Sequence, residues 1–276
     1  MLQGDASQAA SWLRDGGMRP SLVVADPPYG DILPAKWDRA DVAEWVNIVG
    51  HFEELGAPPQ YWWGGIGKPR LRHFFNFVLE VERLTCYRMR DLITWKKVRA
   101  YGKATDYLFC REELALFTLA GRPPPVFNVP YLPEKRGYAG FDPKYPAKSE
   151  YKRRSNVWVE TELLRGKLHV AQKAPAVARI PIEVNTNPGD LVVDLYSGSG
   201  ETAVQALQLG RAVVSVERDP ATAQAVAKRL GMIIDEPRTP AKITPDDHQR
   251  RPARRAGGSA APASGLPEAP RRRPKA

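Results

Sequence analysis

Asp194-Leu195-Tyr196-Ser197-Gly198-Ser199-Gly200 is the stretch that decides the fold. Ahead of the turn, Leu191-Val192-Val193-Asp194 is a short apolar, β-branched run that reads as a buried strand. After it, Glu201 to Leu209 carries helical spacing and stops before Gly210. A strand, a glycine turn and a helix in that order mark the place where an open α/β sheet meets its ligand. Glycines let the backbone approach that ligand without a Cβ in the way, and the helix start offers free amides.

The next run, Ala212-Val213-Val214-Ser215-Val216, reads as a second strand and delivers Glu217 to its end. A carboxylate there can accept from both hydroxyls of a ribose, so loop and acid together indicate a nucleoside-containing ligand. Only two glycines are present, without the third of GxGxxG. That favours a single nucleoside such as S-adenosylmethionine over a pyrophosphate dinucleotide. Asp219-Pro220 then opens a last helix, with Asp as N-cap, Pro in the first turn and Gly231 closing it.

Toward the amino end the same rhythm continues. Ser21 to Ala25 reads as a buried strand, Asp41 to Leu55 as a helix with Val42, Trp45, Val46 and Val49 on one side, and Tyr61-Trp62-Trp63 as a strand. Leu71 to Val81 follows as a helix, with Leu92 to Trp95 and Leu114 to Leu119 as two more strands. No repeat of 20–50 residues is present. Alternation of this kind implies an α/β fold, a doubly wound and mostly parallel sheet of the Rossmann-like type.

The 276 residues suffice for one large domain, and no apolar run reaches the roughly 18 residues of a membrane span. The start, Met1 to Asp5, has no charged n-region or apolar h-region, so a cytoplasmic protein is expected. Cys86 and Cys110 offer neither a disulfide framework nor a metal cluster, and no metal is expected.

The net charge of +10 is unevenly spread. Pro240 to Ala276 carries nine Lys and Arg against three acids in a Pro, Ala, Gly and Ser background, the composition of a disordered basic tail. Arg122 to Lys173 holds eleven against five, interleaved with aromatics, while the remainder sums to −2. A basic, aromatic insert on a near-neutral body suits a polyanion. The expected division is a first half over 1–121, the insert over 122–168, a second half of the same domain over 169–239 and the tail over 240–276.

Directly after the first strand comes Asp26-Pro27-Pro28-Tyr29. Two prolines stiffen the turn and remove two donors, leaving carbonyls beside the Asp26 carboxylate. Such a pocket suits the exocyclic amino group of a base, held by the Asp26 carboxylate and the Pro27 carbonyl while Tyr29 stacks on the ring as a lid. The same acceptors stabilise positive charge growing on the nitrogen as it attacks a methyl sulfonium.

With both loops in this order, the sequence resembles the beta group of DNA amino-methyltransferases that use S-adenosylmethionine, in which the catalytic loop precedes the cofactor loop. The likeness spans about residues 1–231. It is carried further by Gly4-Asp5, by Ile93-Thr94-Trp95-Lys96-Lys97, by His169-Val170-Ala171-Gln172-Lys173-Ala174-Pro175, similar to a His-x-x-Gln-Lys-Pro segment, and by Asn187-Pro188-Gly189-Asp190. It implies catalytic roles for Asp26, Pro27, Pro28 and Tyr29. It implies cofactor contacts from Asp5, Gln172, Lys173, Asp194, Tyr196, Gly198, Ser199, Gly200, Thr202 and Glu217. The insert becomes the recognition element for double-stranded DNA, with Arg122, Lys135, Arg136, Lys152, Arg153 and Arg154 as phosphate contacts.

Departures from the pattern are Leu195 for Pro, Tyr196 for Phe, Glu201 for Thr, and Ala174, which displaces a proline by one residue. Glu201 puts an extra carboxylate near the expected cofactor site, and Pro181 predicts a kink or an early end in its helix. Transfer to N6 of adenine is the leading expectation, because Asp opens the loop. N4 of cytosine is the alternative, and a catalytically weak DNA-binding protein on the same fold is a third reading. Neither cysteine lies in a Pro-Cys loop, which disfavours C5-cytosine chemistry. A second copy in a homodimer and a cognate restriction endonuclease come with the resemblance as protein partners, neither marked by residues of its own.

Overall fold

Short β-branched runs buried on both faces build the centre of the molecule. The computed structural model describes residues 1–30, 41–65, 68–120, 122–135, 149–159 and 172–231. The expected tail and Arg136 lie outside them, as does most of the segment 136–171. The strands are β1 (Leu2–Gln3), β2 (Leu22–Ala25), β3 (Gln60–Gly64), β4 (Tyr87–Tyr101), β5 (Phe109–Leu119), β6 (Tyr131–Lys135), β7 (Tyr151–Arg153), β8 (Val157–Trp158), β9 (Leu191–Asp194) and β10 (Ala212–Glu217). The helices are α1 (Ala9–Asp15), α2 (Val42–His51), α3 (Lys68–Leu84), α4 (Pro175–Asn185), α5 (Glu201–Gln208) and α6 (Pro220–Leu230). None of the described helices is long and apolar enough to cross a membrane.

The main sheet runs β1-β10-β9-β2-β3-β5-β4-β8. Pairing is parallel from β1 through β3, antiparallel on both sides of β5, and parallel again between β4 and β8. Alternate side chains face opposite ways along each strand, and the core divides accordingly. Val23, Ala25, Trp62 and Phe117 pack with Trp45, Val46 and Val49 of α2 and Phe74 and Phe77 of α3. Leu22, Val24, Tyr61, Trp63 and Leu116 pack on the other face with Val177, Ile180 and Val184 of α4. β6 and β7 form a separate two-stranded sheet, while β8, from the same basic segment, joins the main one.

Three expectations change. α2 stops at His51 rather than Leu55; a single 3-10 turn, Glu53–Leu55, follows and is closed by Gly56 at φ +94°. The expected strand Leu92 to Trp95 is the middle of a fifteen-residue strand, hidden in the sequence because charged residues flank its apolar centre. The early end expected at Pro181 does not occur. α4 continues to Asn185 despite the missing donor, since Ile180, Pro181, Ile182 and Val184 are all buried and packing outweighs one lost hydrogen bond.

Candidate active site

β2 and β9 are parallel neighbours with Val24 opposite Asp194, and the Leu195 amide donates to the Val24 carbonyl at 2.9 Å. The two loops of interest therefore leave adjacent strands at one edge of the sheet. Asp26 follows β2 by one residue and the glycine turn follows β9, the crevice where such sheets bind ligands. Between them the structure brings together what the sequence listed apart.

Around Asp26 the contacts are dense. The Tyr29 hydroxyl donates to Asp26 Oδ1 at 2.6 Å. Lys173 Nζ donates to the same oxygen at 2.9 Å and to the Tyr29 hydroxyl at 3.0 Å, and lies 2.9 Å from Asp26 Oδ2. Arg70 of α3 anchors the end of the loop, its Nε donating to the Gly30 carbonyl at 2.8 Å. Lys173, expected toward the cofactor loop, thus sits at the acceptor loop. Tyr29, expected to stack on the base as a lid, is buried and turned onto Asp26.

Behind this pair lies a group the sequence reading missed. Glu112, 1% exposed, places Oε2 3.1 Å from Lys173 Nζ in an ion-pair contact, and its Oε1 pairs with Lys97. Lys97 lies 4.4 Å from the Trp95 ring centroid and Lys173 lies 4.8 Å from that of Trp63, so aromatic faces line both cations. Trp63 meets Trp95 and Trp158 edge-on at 6.0 and 6.4 Å. Burial raises the Glu112 carboxyl, but the two ammoniums more than reverse it and leave it below its ordinary range. Burial likewise lowers Lys173, and Asp26 and Glu112 then lift it above its ordinary value. Tyr29 is held far above the usual phenol range by burial first and by the two carboxylates second. The signal available in the sequence was Glu112-Glu113 abutting an apolar strand, an unusual place for two acids. Glu113 is also buried, and accepts from Thr94 Oγ1 at 2.7 Å.

At the glycine turn, Gly198 and Gly200 take positive φ, and a Cβ on Gly200 would stand 2.7 Å from Val226 Cγ1. The Gly198 amide donates to Glu217 Oε2 at 3.0 Å and the Asp219 amide to Glu217 Oε1 at 2.9 Å, fixing the acid at the strand end. Ser199 offers its carbonyl to Arg229 at 2.7 Å, and Thr202 lies half-buried in the first turn of α5. Tyr196 packs edge-on against Trp62, centroids 6.3 Å apart. Asp194 is buried, its Oδ2 makes no hydrogen bond of good geometry among the described residues, and the Tyr196 amide and Ser215 hydroxyl act on it only weakly to hold its carboxyl down. Burial, with Asp26 and Glu217 adding to it, pushes the Asp194 carboxyl up to about 8.

Glu201 does not stand open beside the turn. Gln172 and Gln205 each donate to it at 3.0 Å, and Arg229 lies 3.7 Å away, so it ties the Gln172 segment to α5. Asp5 caps the turn after β1, accepting from the Ser7 amide and hydroxyl at 2.9 and 2.7 Å. Its strand pairs with the end of β10, which brings Gln3 opposite Glu217.

The basic candidates are spread over the insert. Arg122 is exposed; Lys135 and Lys152 pair with Glu150 and Glu134 at 3.0 and 2.8 Å. Arg153 lies over Phe127, and it and half-buried Arg154 line a cleft of roughly 100 Å³ with Tyr61, Asp91 and Trp158. Cys86 and Cys110 are free, and burial lifts the Cys86 thiol to about 11.

The model of a DNA methylase family matches residues 21–228. Among solved structures, the M1.HpyAVI–SAM complex is similar at TM-score 0.56 and 18% identity, covering 83% of this chain and 100% of that one. The putative DNA modification methylase TTHA0409 of Thermus thermophilus gives 0.56 and 17%, covering 85% and 97%. The cytosine-N4-specific PvuII DNA methyltransferase gives 0.57 and 15%, covering 89% and 88%. The structures share the fold; the family match spans both loops and the strands that carry them, and this chain belongs to the DNA methylase family, the N6/N4 amino-methyltransferases.

Proposed function

We propose that this protein transfers a methyl group from S-adenosylmethionine to the exocyclic amine of a base flipped out of double-stranded DNA, with N6 of adenine the preferred acceptor. The observation that carries the reading is the placement of Asp26 and the Gly198–Gly200 turn on adjacent parallel strands at one sheet edge. S-adenosylmethionine, when bound, supplies an electrophilic methyl group on a cationic sulfur. The residues present fit it. Glu217 is held at the strand end with lone pairs left for ribose hydroxyls. Among the described residues Asp194 keeps a buried oxygen, Oδ2, with no hydrogen bond of good geometry, suited to the cofactor's ammonium.

The acceptor loop follows the same logic. A carboxylate offers roughly four lone-pair sites. Tyr29 and Lys173 occupy Oδ1, and Lys173 approaches Oδ2, which leaves Oδ2 open to one further donor. One N–H of the amine goes there and the other to the Pro27 carbonyl. Two acceptors below the ring plane favour the pyramidal nitrogen whose lone pair can attack, and they stabilise the positive charge that grows on it. Trp63, Trp95 and Trp158 form a buried aromatic cluster, and Trp63 faces Lys173.

Incubation with duplex DNA and S-adenosylmethionine labelled in the methyl group, followed by nucleoside chromatography, tests this. Label in N6-methyladenine is expected. Label in N4-methylcytosine moves the assignment to the other amine, and no label in either overturns it.

A further inference from the structure

The hairpin joining β4 and β5 outruns the sheet that supports it. β5 pairs with β3 only as far as Glu113 opposite Gly64, and β8 meets β4 only at Thr94 and Trp95. Beyond that level the two strands pair with each other, Lys96 with Arg111 and Tyr101 with Phe109. Residues 96–101 of β4 face only 109–111 of β5, with a bulge between Lys96 and Tyr101, so the two-stranded part extends about 10 Å at about 3.3 Å per β5 residue, and the turn 102–108 reaches beyond it. It leaves from the edge that carries Asp26, because Glu112 at its base pairs with Lys173, which in turn pairs with Asp26.

Its surface is unlike the rest of the body. Tyr107 at the tip is 100% exposed, Tyr101 67% and Leu108 62%. Between 96 and 111 there are five Lys or Arg and one acid, Asp106. Lys97 and Arg111 pair with Glu112 and Glu113, while Lys96, Arg99 and Lys103 are exposed and make no ion pair among the described residues. A free ribbon with an apolar tip is marginal in water, and exposed apolar groups of this size mark a binding surface. The charge calls for a polyanion. The B-DNA major groove, about 12 Å wide, admits a two-stranded β-ribbon.

We infer that this ribbon docks in the groove of the substrate duplex beside the extruded base, with Arg99 and Lys103 on phosphates and Tyr107 against the groove floor. The identity of the polyanion rests on the function proposed above. The assignment adds a second DNA-binding element to the basic segment after Arg122. It also places that element next to the acceptor loop. A second copy of the chain is disfavoured as occupant, since two ribbons of equal positive charge repel.

The test uses the full chain and its variants Arg99→Ala/Lys103→Ala and Tyr107→Ala, each titrated with a 30-base-pair duplex between about 50 and 200 mM salt. Each lost phosphate contact lowers the slope of log affinity against log salt by about 0.9. The double variant is expected to lose about two units of slope and at least tenfold in affinity, with S-adenosylmethionine binding and melting temperature unchanged. Tyr107→Ala is expected to weaken binding at unaltered slope. Parental affinity and slope in the double variant overturn the inference even if the parent methylates DNA. Loss of self-association with intact DNA binding also overturns it, making the ribbon a contact between copies. A parent that binds duplex through the ribbon yet methylates nothing sustains the inference and overturns the proposed function instead.

Discussion

Replacing Glu112 by Gln tests whether the buried charges behind Asp26 act as a unit. The side chain is 2% exposed and faces two ammoniums, that of Lys173 at 3.1 Å and that of Lys97. Removing one partner of a buried pair ordinarily costs about 3–5 kcal/mol, because the other charge is left uncompensated. Here the loss is smaller. Lys97 is 32% exposed and can turn to water, and Lys173 keeps Asp26 at 2.9 Å, so about 2 kcal/mol is expected. For a unit of this size that is about 4–8 °C in melting temperature. Lys173, released from Glu112, bears on Asp26 alone and competes with the substrate amine for Oδ2. Turnover is expected to fall about tenfold while S-adenosylmethionine affinity stays within twofold, a loss of about 1.4 kcal/mol confined to the transition state. Glu112→Asp, which keeps the charge, should recover part of both losses. Scanning calorimetry and single-turnover methyl transfer read the two effects. A Glu112→Gln protein with parental melting temperature and rate would refute the network's role.

Asp194→Asn removes a carboxyl whose ordinary value near 3.8 is raised to about 8 on folding. A raised carboxyl favours the folded state at low pH, and that advantage drains away as pH climbs from about 4 to about 8. The parent should therefore lose stability over this window at up to about 1.4 kcal/mol per pH unit from this group. The Asn variant should lack that slope in urea titrations and bind S-adenosylmethionine at least tenfold more weakly. If Asp194 meets the cofactor's ammonium, binding at pH 7 should release a proton, visible in calorimetry as heats that change with the buffer's ionisation enthalpy. Gly200→Ala forces a Cβ to 2.7 Å from Val226 at φ +77° and should cost about 2 kcal/mol, about 4–8 °C in melting temperature. An unchanged melting curve would show that the turn relaxes freely.

The strands and the two loops were legible because their signals are local. β-branched runs, glycines, a capping Asp and a Pro-Pro turn each act within a few residues, and the resemblance fixed their order. Asp219 does cap α6, accepting from the Thr222 amide at 2.8 Å, as its place before Pro220 implied. What the sequence hid is long-range. Lys173 reaches Asp26 across 147 positions, and nothing near either residue marks the pair. Glu112 abuts an apolar strand in the sequence, but no local pattern announces the two cations that let it be buried there. The length of β4 was masked by Arg88, Arg90 and Lys96, which are exposed on a strand whose buried anchors are Tyr87, Ile93 and Trp95. Charge summed over the whole body also diluted the basic ribbon, which emerges only once its strands are seen to leave the sheet.

The proposed reaction divides its labour between neighbouring strand ends, Asp26 for the amine and the glycine turn for the methyl donor. The direct measurement is to follow S-adenosylmethionine binding and methyl transfer to duplex DNA on one preparation of Asp26→Ala. Affinity within a few-fold of the parent, with transfer abolished, is the predicted result. Transfer at the parental rate would contradict it.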